Sequence, residues 1–107
     1  MALQSENIRS SVGGEKNPHG IIVLEFETGF KQKHPRFQKN LSKHCNKLTR
    51  KELLICSMVH EEMKEKEIAD LLGLSVFTIE NYRTKIRKKL GLTRTDVNLY
   101  SFLLQFS

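Results

Sequence analysis

The stretch "KEIADLLGLSVFTIENYRTKIRKKLG", residues 66 to 91, constrains this chain more than any other. Gly73 stands where a helix end favours a left-handed residue, and Gly91 repeats that signal eighteen residues on. Ser75 follows Gly73 as a good N-cap, because its hydroxyl can accept from an otherwise unpaired backbone N–H of the next helix. The residues predict a short helix from about Glu65 to Leu72 with Ile68, Leu71 and Leu72 facing inward, then a longer one ending before Gly91. Two short helices joined by so tight a glycine-containing turn form a helix-turn-helix, here at about 65–90.

The second helix divides into faces by its 3.6-residue period. Val76, Ile79, Tyr82, Ile86 and Leu90 make one apolar stripe, the expected core face. The opposite face carries Phe77, Glu80, Asn81, Thr84 and Lys88. In a helix-turn-helix the N-terminal half of the second helix can enter the major groove of duplex DNA. Asn81 could pair bidentately with adenine, Glu80 could accept from the amino group of cytosine, and Thr84 and Phe77 could touch a thymine methyl. Arg83, Lys85, Arg87, Lys88 and Lys89 flank that strip and could grip phosphates, which adds affinity without sequence information. A carboxylate among phosphates weakens binding everywhere except where a base donor meets it, so Glu80 is better explained by base reading than by non-specific binding. The plainer reading pairs Glu80 with Thr84 or Lys85 on a solvated surface.

Charge elsewhere is segregated. The net charge is +6, with eight basic residues and no acid from Lys31 to Lys51. Seven acids face two lysines from Glu52 to Glu80, and six basic residues stand alone from Arg83 to Arg94. Such a balance favours an acidic partner. Residues 1–20 are polar and glycine-containing and are expected to form a mobile leader. Residues 21–47 are expected to be a helical lead-in of one or two segments, broken at His34-Pro35, with "IIVLE" ambiguous between strand and helix. Residues 48–107 open with Thr49 and Glu52 at capping-box spacing, with Leu53, Ile55, Cys56 and Val59 as the apolar stripe. Thr93 with Asp96 predicts a further cap and a last helix through Leu104. The fold class expected is all-α.

Cys45 and Cys56 do not make a disulfide framework. Cys56, His60, His44 and Cys45 could share a face, but zinc sites show tighter paired spacing, so no metal or other cofactor is expected. No nucleophile–base pair, phosphate loop or carboxylate pair points to an enzyme. No run of 18 apolar residues could span a membrane, and no secretory signal opens the chain, so the expected location is the cytoplasm.

Residues 48 to 92 resemble the DNA-binding domain of LuxR-type (FixJ or NarL type) transcriptional regulators. The matching positions are Leu48, Thr49 and Glu52, then Lys66, Glu67, Ile68 and Ala69, then Thr78, Ile79, Lys89, Leu90 and Gly91. The resemblance covers residues 48 to 104. It implies a four-helix domain whose recognition helix is 76–90, and duplex DNA as partner. It also implies base contacts at Glu80, Asn81 and Thr84, with phosphate contacts at Lys66, Ser75, Thr78, Arg83, Lys85 and Lys88. Glu62 replaces the family's usual glycine between the first two helices, Lys64 a frequent Ser or Thr cap, Tyr82 a common histidine, and Phe77 a small or basic residue. Residues 1 to 47 are too few for the sensor domain such regulators generally carry, so the chain is expected to be a stand-alone regulator or the tail of a longer one. The last helix is often used for dimerisation in this family. Here "VNLYSFLLQF" offers more apolar surface than one domain hides, so a homodimer through Val97, Tyr100 and Leu104 is expected. The alternative is that Phe26, Phe30 and Phe37 cover it within one chain. A second functional reading makes the module a docking partner for RNA polymerase or another regulator, with Phe77 and Glu80 as protein contacts.

Overall fold

The computed structural model describes residues 18–107 and shows six α-helices among them and no strand. They are α1 (Pro18–Lys33), α2 (Phe37–His44), α3 (Arg50–His60), α4 (Glu65–Leu72), α5 (Val76–Lys89) and α6 (Leu99–Leu103), closed by a 3₁₀ turn at Leu104–Phe106. The all-α expectation holds. The ambiguous "IIVLE" is helical, and α1 begins at Pro18, earlier than the boundary expected at residue 20. Most of the expected leader, residues 1–17, lies outside the described residues.

Local chemistry explains the helix ends. Thr49 Oγ1 accepts from the Glu52 N–H at 3.1 Å, and Glu52 Oε1 accepts from the Thr49 N–H at 2.8 Å, so the capping box is complete. Glu52 also takes Lys89 Nζ at 2.7 Å. Burial pushes the Glu52 carboxyl up, but Lys89 and the Thr49 donors outweigh it and hold its pKa below the usual carboxylate value. One side chain thus closes the start of α3 and ties it to the end of α5. Gly73 and Gly91 take φ of 68° and 76° as their positions require. Glu62 keeps a φ of 63° although it carries a Cβ, a strain of about 1 kcal/mol. Its carboxylate accepts from the Tyr100 hydroxyl at 3.2 Å, a contact to α6 that glycine could not make.

α3 is the centre of the molecule. Leu54 through His60 are all buried, so this helix is enclosed on every side. Leu53, assigned to the apolar stripe from its spacing, is only half-buried, while Leu54 and Met58 are buried in its stead. The lead-in accounts for the extra enclosure: Phe30 of α1 and Phe37 of α2 are buried and pack edge-on against each other and on His60. Ile68 and Ala69 of α4 and Ile79 and Ile86 of α5 complete the helix-turn-helix side.

The expected cap at Thr93 and Asp96 is wrong. Residues 92–97 form an irregular loop in which Arg94 takes a φ of 66°, incompatible with a helix. Asn98 is the cap instead, its Oδ1 accepting from the Ser101 N–H at 3.1 Å, and α6 is five residues long. Arg87 decides between the two: its guanidinium donates to the carbonyl oxygens of Val97, Leu92 and Thr95 at 2.6, 2.9 and 3.3 Å and holds the loop out of helical geometry.

Candidate nucleic-acid interface

α5 is anchored at its start by Ser75, whose Oγ accepts from the Thr78 N–H at 3.0 Å, and along its inner face by Ile79, Ile86 and Leu90. Tyr82 is half-buried beside them. Val76 departs from the expected stripe. It is exposed, because it opens the helix and the buried run begins only at Ile79. With Phe77, 70% exposed, it makes an apolar tip at the end of α5.

Behind that tip Glu80, Asn81, Thr84, Lys85 and Lys88 are all exposed on the outer face. The side-chain pairing that the plainer reading gives Glu80 is not seen, which leaves its carboxylate solvated. Among the described residues its carboxylate has neither a hydrogen bond nor an ion pair, and only its main-chain carbonyl is used, by the Thr84 hydroxyl at 3.1 Å. That bond commits the Thr84 proton and leaves its lone pairs and methyl to a ligand. Among the described residues Asn81 has both amide functions free of partners.

The cations expected to grip phosphates are not equivalent. Lys66, Lys85 and Lys88 are exposed, with no acidic partner among the described residues. Arg83 is half-buried, its Nε 3.6 Å from Glu65 Oε2, so it spans α4 and α5. Ser75 and Thr78 are joined hydroxyl to hydroxyl at 2.9 Å in the cap of α5. Arg87 and Lys89, read from sequence as phosphate clamps, are structural: Arg87 staples the 92–97 loop and Lys89 meets Glu52. A residue not singled out from sequence joins the site, since Lys47 lines a groove of about 420 Å³ with Lys85, Lys88 and Lys89. Its only sequence signal is the acid-free basic run ahead of Glu52.

The cysteines weighed as ligands are packing groups. Burial pushes the Cys56 thiol up to about 12, and Cys45 Sγ donates to the Lys89 carbonyl. His44 packs its ring on Phe102 and Phe106.

The buttressed helix, with its polar outer face, apolar tip and lysine-lined flank, follows α4 through a tight glycine turn in a helix-turn-helix arrangement. The family model described as "Bacterial regulatory proteins, luxR family" matches residues 46–102, more than half of the chain, and the chain belongs to that family. It therefore carries a LuxR-type domain, a DNA-binding regulatory module. Neither the curated proteins nor the solved structures gave a match. Among the described residues no helix is long and apolar enough to cross a membrane.

Proposed function

We propose that this protein is a sequence-specific, duplex-DNA-binding transcription regulator that works in the cytoplasm, with Val76 to Leu90 in the major groove. The observation that carries this reading is the outer face of α5, unpartnered among the described residues. Glu80 and Asn81 hold free base-reading groups there, with Thr84 and Phe77 beside them for thymine methyls. Lys85 and Lys88, with Lys47, supply the adjoining phosphate grip, and Lys66, Ser75, Thr78 and Arg83 supply the other flank.

A binding titration on duplex DNA at several salt concentrations tests it. Affinity should fall steeply with salt, and Lys85→Ala with Lys88→Ala should weaken all sequences equally and reduce the salt slope by about 2. A flat salt dependence in the parent protein would remove the DNA reading. It would favour instead the second one, protein docking on RNA polymerase or another regulator through Phe77 and Glu80, to which the exposure of Phe77 lends weight.

The regulator acts as a homodimer in this proposal, with Val97 and Leu104 at the centre of the interface. α2 covers part of the apolar surplus: Asn40 donates to the Phe106 carbonyl at 3.1 Å, and His44 packs on Phe102 and Phe106. Val97 and Leu104 stay about two-fifths exposed, whereas Tyr100 is half-buried and held by Glu62. Sedimentation on an operator duplex should show two chains bound, and Leu104→Glu should leave one. A monomer on DNA in the parent protein would end the dimer proposal.

A further inference from the structure

Three side chains converge where α1 meets the end of α3. His34 follows α1, His60 closes α3, and Glu61 comes next. Glu61 Oε2 lies 3.3 Å from His60 Nδ1 and 3.5 Å from His34 Nε2. The candidate ligand atoms of the three residues all lie within 4.8 Å of one another. Two ligand atoms each about 2.0–2.1 Å from a tetrahedral zinc ion are separated by about 3.4 Å. Both separations therefore match a coordination edge.

Hydrogen bonding could produce similar distances, so the surroundings matter. His60 is buried among Phe30, Phe37 and the His34 ring, which fixes its orientation. Its Nε2 is within hydrogen-bond reach of Ser107 Oγ. With Nε2 held by Ser107, the ring turns Nδ1 toward Glu61 Oε2, so the nitrogen and the carboxylate oxygen face each other. A ligating histidine usually has its other ring nitrogen anchored in this way. Lys33 Nζ occupies the second oxygen, Oε1, and leaves Oε2 as a one-point ligand. His34 and Glu61 are about a quarter exposed, which opens a fourth position to water.

We propose that His34, His60 and Glu61 bind one divalent transition-metal ion of the zinc class, with water as the fourth ligand. Imidazole and carboxylate donors suit zinc, and three protein ligands with one open position is a recurrent zinc arrangement. The ion would clip the lead-in to the last turn of α3, so residues outside the 46–102 family match would share in holding that match together. The site does not depend on whether the chain binds DNA.

The test uses the full chain, stripped of metal with a chelator and titrated with Zn²⁺ alone by calorimetry and with Co²⁺ by visible absorption. The expected results are one equivalent of Zn²⁺ bound, a rise in Tm on binding, and the intense visible bands of tetrahedral Co²⁺. His34→Gln, at a partly exposed position that folding should tolerate, should weaken Zn²⁺ binding at least about tenfold and abolish those bands. Glu61→Gln should weaken it similarly, and His44→Gln should bind as the parent does. Failure to bind Zn²⁺ stoichiometrically would overturn the proposal and leave the cluster a histidine–carboxylate hydrogen-bond network. Binding that survives His34→Gln but is lost in His44→Gln would also overturn it, by placing the metal elsewhere.

Discussion

Arg87→Ala is expected to destabilise the protein by about 3 kcal/mol and to leave the salt slope of DNA binding unchanged. Arg87 has the most basic neighbourhood in the chain and reads, by sequence alone, as one more phosphate clamp. Its guanidinium instead donates to three carbonyl oxygens of the loop between α5 and α6. A hydrogen bond involving a charged group contributes about 1.5–3 kcal/mol. The three share one donor group and are partly exposed, so their sum is well below three times that figure. Losing them frees the loop and loosens the docking of α6, whose Leu99 and Leu103 lie in the core. Arg87→Lys should rescue little, because a single ammonium cannot span three carbonyls held by a planar fork. Denaturant unfolding measures the first effect and a salt series the second. If Arg87→Ala keeps parent stability but flattens the salt slope as Lys85→Ala does, the guanidinium faces phosphate and the staple assignment is wrong.

Arg87 also marks the limit of what could be read from the residues. Signals whose partners lie within four residues were legible: the Thr49–Glu52 box, the Ser75 cap and the positive φ at Gly73 and Gly91. The face of α5 that holds Glu80, Asn81 and Thr84 was legible too, since helical period alone separates it from Ile79 and Ile86. Competing local signals were not. Thr93–Asp96 and Asn98–Ser101 both have cap spacing, and a guanidinium on another helix selects the second. Equal charges were not separable either: Lys85 and Lys89 differ only because Glu52, 37 residues before Lys89, takes one of them. The enclosure of α3 and the meeting of His34 with His60 both require α1 to fold back on the domain, and no spacing within α1 encodes where it lands.

Asn81→Ala should cost about 1–3 kcal/mol on the best operator, the scale of one bidentate base pair contact, and almost nothing on random DNA. The side chain is exposed and has no partner among the described residues, so its removal should leave the fold intact and isolate the proposed groove contact. Glu80→Ala should behave differently from any phosphate mutant. A carboxylate without a cationic partner repels the DNA backbone wherever no base donor meets it, so its loss should raise affinity for random DNA. At the base pair it reads, preference should relax, because a cytosine amino group loses its acceptor. The ratio of specific to random affinity should thus fall in both variants, by loss of the numerator for Asn81 and by growth of the denominator for Glu80. Selection of bound sequences from a random pool, run on the parent and both variants, reads the affected positions directly. Equal losses on every sequence in both variants would mean that these residues set the docking pose, and the outer face of α5 would then not be the reading surface.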